Sequence, residues 1–310
     1  MRQLFTSVIK LHLDKSNEAD LKLINTSLKE MRHAFRIFSK YRDVRKVVMW
    51  GSSRVSPKDQ EYKIAQEFAN KISKLGFMVI TGGGGGVMEA GNRGAGKNSF
   101  GVGIRLPGFE ETNPYIAKGE KLMKFNYFFT RKLIFVKESD ATALFPGGFG
   151  TNDELFEMLT LLQTGKSMPR PIVLVNAPGK TYWKGWQKFL EKEMIKKGFL
   201  YKDSLKLYKI VNSVDDAVKE IINFYRVYHS IRYSGPLTIL RLNKPLSLSK
   251  IKELNRKFKD LLVSGEIYPS KPTPSEVENK EHLNLPRLAL NFDRRSYGRL
   301  CEMIYEINCS

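Results

Sequence analysis

The chain has 310 residues, 42% of them hydrophobic, which is enough for a sizeable core in one large domain with additions. Its formal charge of +20 favours anionic partners, yet Lys and Arg are spread through the helical stretches, so charge does not choose among nucleotides, nucleic acid and acidic surfaces. No apolar run of about 18 residues offers a membrane span, the start lacks a signal-peptide pattern, and Cys301 and Cys309, without a Cys-x-x-Cys pattern, fit a reducing cytoplasm better than a disulfide framework.

From Ala19 to Phe38 the apolar positions Leu21, Ile24, Leu28, Met31, Phe35 and Phe38 alternate spacings of three and four, an a/d seam on one helix. The seam suits packing on its own domain or a subunit contact. Strands and helices then alternate. Lys46–Trp50 reads as a buried strand, followed by the turn Gly51-Ser52-Ser53-Arg54 and a helix from Pro57 with Ile64, Phe68 and Ile72 inward. Phe77–Thr81 is the next strand; the glycines Gly82, Gly83, Gly84, Gly85 and Gly86 lead into a helix through Val87, Met88 and Ala90. A third strand, Phe100–Leu106, precedes a loop over residues 107–119. A short strand at Leu122–Phe125 and a helix over 126–137 follow. Ala141–Phe145, Thr151–Thr164, Pro171–Asn176, Tyr182–Lys197 and a helix around Val214–Tyr228 complete the alternation. Short, continuously apolar strands separated by helices predict a Rossmann-like, doubly wound parallel α/β sheet. The expected organisation is a helical segment over 1–45, a nucleotide-binding domain over 46–230 and a small β-α-β-α extension over 231–310. In that extension Leu237–Leu242 and Leu288–Phe292 read as strands, Ser249 as the cap of a helix, 269–284 as a polar linker, and Tyr297, Leu300, Cys301 and Ile304 as the face of a last helix.

Phe145-Pro146-Gly147-Gly148-Phe149-Gly150-Thr151-Asn152-Asp153-Glu154 carries the strongest chemical signal. An apolar strand stops at a proline, glycines follow, and an amphipathic helix begins. Such a turn lets backbone N–H groups approach an anion at a helix N-terminus. Three glycine turns follow three different strands. In a parallel sheet the strands' carboxyl ends share one edge, so the three can face one phosphate. The pattern is neither Gly-x-Gly-x-x-Gly nor a P-loop, which favours a mononucleotide over a dinucleotide and disfavours a triphosphatase. Thr151-x-x-Glu154 also reads as a capping box, Asp153 as a helix-dipole charge, and Arg131 alone as a surface arginine. Four scattered histidines have no metal-ligand spacing.

Taken in order, Gly51-Ser52-Ser53, Gly82–Gly86 with Val87-Met88-Glu89-Ala90, Arg131-Lys132, Ser139-Asp140-Ala141 and Pro146-Gly147-Gly148-Phe149-Gly150-Thr151-x-x-Glu154 resemble the LOG family of cytokinin-activating phosphoribohydrolases and their bacterial relatives, over roughly residues 46–230. The resemblance implies hydrolysis of nucleoside 5′-monophosphates, AMP-like, to a free base and ribose 5-phosphate by a cytoplasmic enzyme. It implies Arg131 and Glu154 as the catalytic pair. It also implies nucleotide contacts at Gly51, Ser52, Ser53, Gly82, Gly83, Gly84, Gly85, Gly86, Met88, Glu89, Arg131, Lys132, Gly147, Gly148, Gly150 and Thr151. Dimers or larger homo-oligomers are implied as well, with no metal, cofactor or membrane partner. Arg54, the unbroken glycine run and Asn152-Asp153 depart from the common pattern and weaken cytokinin precursors as the substrate. Asn92, Arg93 and Asp153 are candidates to protonate the leaving base. A nucleotide-sensing or nucleic-acid-binding module is the competing reading. Lysine decarboxylase, a label often attached to this glycine motif, would need a Schiff-base lysine for pyridoxal phosphate, and no motif marks one.

Overall fold

The computed structural model describes residues 1–108 and 112–310, so 109–111 of the predicted loop lie outside the described residues. Two helices, α1 (Arg2–Leu13) and α2 (Glu18–Phe38), precede the first strand, β1 (Lys46–Trp50). Val47 and Met49 enter one core, Val48 and Trp50 the other, because successive side chains of a strand take opposite faces. The chain continues through α3 (Gln60–Lys74), β2 (Met78–Thr81), α4 (Val87–Ala95), β3 (Ser99–Ile104), β4 (Leu122–Phe125), α5 (Phe128–Glu138), β5 (Ala141–Leu144), α6 (Phe149–Gln163), β6 (Ile172–Val175), α7 (Tyr182–Phe189), β7 (Lys209–Val211) and α8 (Val214–Phe224). The seven strands form one parallel sheet in the order β4-β3-β2-β1-β5-β6-β7. The predicted Rossmann-like α/β fold is present. After β1 the chain builds outward to β4, then returns to place β5 on the other side of β1. The winding direction therefore reverses between β1 and β5, where the strand ends leave a crevice.

The C-terminal region holds more sheet than its sequence suggested. β8 (Tyr228–Ser234), β9 (Leu237–Leu242), α9 (Leu248–Lys257), β10 (Leu262–Pro269), α10 (Pro274–Glu278), β11 (Arg287–Phe292) and α11 (Tyr297–Asn308) give an antiparallel sheet in the order β10-β11-β9-β8. The predicted helix around 214–228 ends at Phe224, and Tyr228 already belongs to β8. A register shift between Tyr228 and Ser230 breaks strict alternation there, which masks the strand. β10 is an edge strand with Gly265 at positive φ, two register irregularities and Ile267 as its one buried residue. Ser247, not Ser249, caps α9. The predicted polar linker contains α10, whose buried Glu276 accepts from Arg241 Nε at 2.6 Å.

The predicted a/d seam on α2 is not its buried face. Of the seam, Phe38 is buried, beside Ser27, Glu30 and Ala34 from outside it, and Met31 is half-buried, whereas Leu21, Ile24, Leu28 and Phe35 remain substantially exposed. At 3.6 residues per turn the two stripes differ by roughly a quarter turn. The buried stripe is mixed: Ala34 and Phe38 enter the apolar core, Phe38 against Phe100, and the Glu30 carboxylate bonds to Asn126 and Thr130 at the start of α5. α1, which the periodicity reading passed over, buries no residue.

Gly86 has φ +65°, and a Cβ there would lie 2.3 Å from Ser52 O. Gly86→Ala should therefore cost about 2–4 kcal/mol in denaturant unfolding. Gly198 also has positive φ (+77°) but open space around it; Gly198→Ala should cost about 1 kcal/mol.

Candidate active site

The three glycine turns meet at the carboxyl edge. Ser52 N donates to Pro146 O at 3.0 Å, joining the turn after β1 to that after β5. Val87 N donates to Ser52 O at 2.9 Å, joining it to the turn after β2. These approaches tolerate no side chain: a Cβ on Gly51 would sit 2.7 Å from Val87 Cγ2, and one on Gly147 would sit 2.1 Å from Thr151 Oγ1 and 2.9 Å from Ser52 N. Among the described residues, the N–H groups of Gly84, Gly85, Gly86, Gly148, Phe149 and Gly150 donate to no protein acceptor. Two helix N-termini thus direct unused donors toward one region, an arrangement suited to a phosphate.

The glycine run after β2 is held from below. Thr81 Oγ1 accepts from Gly83 N at 3.0 Å and donates to Asn92 Oδ1 at 2.8 Å. Asn113 Nδ2 reaches Gly83 O and Gly84 O at 3.0 Å each, and Asn92 Oδ1 at 2.9 Å. Asn92 also donates to Phe100 O, so both ends of its buried amide are used and it is no proton donor. Asn113 escaped the sequence reading; its only signal was an Asn-Pro step inside the loop before β4.

Helix α6 starts at Phe149 with Gly148 as its N-cap and no side-chain cap bond. The capping-box alternative for Thr151 and Glu154 is thereby overturned: both lie inside the helix, and Glu154 faces inward. Glu154 is 5% exposed, 3.5 Å from Arg131 Nη2 and 3.9 Å from Lys132 Nζ. Burial pushes its carboxyl up from 4.5 to about 7, although Lys132 and Arg131 pull the other way. Burial likewise lowers Arg131, which Glu154 and Asp153 partly offset. Glu154 Oε1, which has Arg131 Nη2 at 3.5 Å, and Arg131 Nε are buried and make no hydrogen bond to the protein. Such atoms are uncommon and call for a partner from outside.

Arg131 lines a cleft of about 140 Å³ with Gly82, Gly83, Gly84 and Met88, beside Arg105 and Lys124 at the ends of β3 and β4. Glu154 is not part of that lining; its carboxylate meets it through Arg131, whose Nη2 is 3.5 Å away. The guanidinium lies over the Phe128 ring at 4.8 Å and the Phe135 ring at 5.5 Å, so two aromatic faces from its own helix orient it. Other predicted site residues are less available. Lys132 is balanced by Asp153 at 2.9 Å and Glu157 at 2.7 Å. Glu89 accepts from Tyr62 OH at 2.9 Å. Ser52 contributes backbone contacts, and its Oγ accepts from Arg54 N. Ser53 is exposed. A larger cleft, about 500 Å³, lies between the end of α2 and the segment entering β4, lined by Arg36, Lys40, Tyr41 and Lys121, and contains none of the predicted site residues.

Residues 76–221 match the family described as possible lysine decarboxylase. This bears out the resemblance to the LOG family. The pyrimidine/purine nucleotide 5′-monophosphate nucleosidase of Escherichia coli (strain K12) is 28% identical over 138 residues, 41% of this chain and 30% of that protein. The match thus spans under a third of that relative's length. The cytokinin riboside 5′-monophosphate phosphoribohydrolase of Mycobacterium tuberculosis is 27% identical over 161 residues, 51% of this chain and 83% of that protein. Among solved structures, the protein TM1055 aligns with 25% identity over 56% of this chain and 96% of its own, with a TM-score of 0.42.

Glu154 ionises near 7 in the folded chain against about 4.5 in its absence. The unfolded carboxyl loses its proton first, so folding must retain one between those values. Stability is therefore lost as pH rises from about 4.5 to about 7, and the cost above 7 is about 3 kcal/mol. Glu154→Gln cannot ionise. Its melting temperature should match the wild type near pH 4.5 and exceed it at pH 8; a pH-independent difference would contradict the assignment.

Proposed function

We propose that the chain, which carries the LOG-family signature over residues 76–221, hydrolyses the N-glycosidic bond of nucleoside 5′-monophosphates to a free base and ribose 5-phosphate. The observation that carries this reading is the inward, under-bonded Glu154 carboxylate, tuned to about 7 beside Arg131, at the rim where three glycine turns interlock. The names of the relatives support the same substrate class.

The 5′-phosphate would lie against the unused N–H groups at the starts of α4 and α6. Binding energy spent there fixes the ribose for reaction at C1′. Departure of the base builds oxocarbenium-like positive charge on the sugar. Glu154 is assigned to stabilise that charge and to take a proton from the attacking water. Arg131 cannot give up a proton. Its assigned work is to meet the ligand at the cleft and to hold Glu154 in place. Of the residues weighed as proton donors to the base, Asn92 is consumed in the buried network and Asp153 is paired with Lys132.

A second copy of the chain is the proposed partner for the exposed stripe Leu21, Ile24, Leu28 and Phe35, since an apolar face of this kind marks an interaction surface. Light scattering should give a homo-oligomer, and Leu28→Glu should shift it toward the monomer.

Chromatography of the products should show adenine and ribose 5-phosphate from AMP. Glu154→Gln should bind AMP and lose about 10²–10³ in turnover, and the wild-type rate should rise with pH through about 7. Adenosine, lacking the phosphate anchor, should be a poor substrate. Intact AMP after prolonged incubation with the wild-type chain would overturn the hydrolase reading and leave a nucleotide-binding module.

A further inference from the structure

Helix α5 carries Arg131 but brings no cap of its own. Its N-cap, Tyr127, makes no side-chain cap bond, and its first turn has no acidic residue. The missing anion comes from another helix. Glu30, in the middle of α2 and 8% exposed, accepts from Asn126 N at 2.6 Å and Asn126 Nδ2 at 2.7 Å through one oxygen. Its other oxygen accepts from Thr130 Oγ1 at 2.6 Å. Thr130 Oγ1 also lies 2.9 Å from Tyr127 O, but the hydroxyl has one proton, and the shorter contact to a carboxylate is the stronger. All three bonds fall on the entrance to α5, where negative charge also complements the helix dipole. The next residue is Arg131.

We propose that Glu30 is a positioning residue for Arg131, on the reading of the site given above. Both Glu30 oxygens are occupied and the residue is buried, so it does not meet the ligand. By fixing the first turn of α5 it fixes the direction from which the guanidinium approaches Glu154. Arg131 in place lowers the ionisation point of Glu154; Arg131 displaced no longer does. The other charged groups around Glu154 are Lys132 from α5 and Asp153 and Glu157 from α6. Lys132 is anchored to α6 by two close carboxylates, Asp153 at 2.9 Å and Glu157 at 2.7 Å, whereas Arg131 meets α6 through the longer 3.5 Å approach to Glu154. Loosening the start of α5 therefore acts on Arg131 first.

The test compares Glu30→Ala and Glu30→Gln. Glu30→Ala should lower kcat for AMP about tenfold and change KM by no more than about threefold. It should also move the pH inflection of kcat upward by about one unit, because the guanidinium no longer favours the carboxylate. Glu30→Gln keeps an acceptor toward Asn126 and should recover most of kcat and the original inflection. Where Glu30→Ala does not fold, Thr130→Val removes one of the bonds from the α5 side and should shift the inflection in the same direction. The Glu154 inflection is read a second way, without turnover, as the pH at which Glu154→Gln begins to outstabilise its parent in each background. If AMP is never hydrolysed, the hydrolase reading fails while this measurement still decides the role of Glu30. An inflection that stays at the wild-type value in folded Glu30→Ala or Thr130→Val, by either readout, overturns the proposal.

Discussion

Close backbone approach at the β1/β5 crevice is the constraint on which the site depends. Two other turns bond to the Ser52 backbone, through Pro146 O and Val87 N, and both approaches work because a glycine stands where a Cβ would collide: Gly51 against Val87 and Gly86 against Ser52 on one side, Gly147 against Ser52 and Thr151 on the other. The winding reversal opens the crevice, and the glycines let two helix starts converge on it. The same interlock leaves donor N–H groups without partners. A surface that satisfied them internally would have no use for a phosphate.

The second constraint is electrostatic and opposes stability. A carboxylate taken out of water beside two cations remains hard to ionise, because desolvation outweighs their attraction at Glu154. Arg131 is desolvated too and leaves Nε unbonded. The fold tolerates this pair because the surrounding helices are anchored elsewhere: α6 through Lys132 and its two carboxylates, α5 through Glu30. Strain concentrated at a few side chains and supported by a well-bonded periphery is the usual physical form of a reactive site.

Much of this was legible in the amino-acid order. The buried strands announced themselves as short apolar runs, and the glycine turns as an expense that only close approach explains. The reading of Thr151 and Glu154 as a cap failed because the helix begins two residues earlier, at Phe149, where a Gly-Phe-Gly step gives no ordinary start signal. Glu30 was hidden beside an apolar seam that drew attention to its neighbours; periodicity reports where apolar side chains lie and is blind to a buried carboxylate bonded to the start of another helix. β8 and β10 were hidden by register irregularities, since a bulge erases the two-residue period by which a strand is recognised. Lys132 sits next to Arg131 in sequence, yet its charge goes to α6, and only three-dimensional pairing reveals that.

Asn308, near the end of the last helix, binds four backbone groups. Its Oδ1 accepts from Val227 N and Tyr228 N, and its Nδ2 reaches Phe224 O and Ile304 O. These groups lie where the parallel sheet's final helix hands over to the antiparallel sheet, and Phe224, Tyr228, Leu290 and Leu300 share one continuous apolar interior there. The smaller sheet is therefore a buttress welded to the larger one, not a cap hinged over the crevice. The two should melt together, and clipping the last few residues would loosen the seam between them from the end farthest from the chemistry.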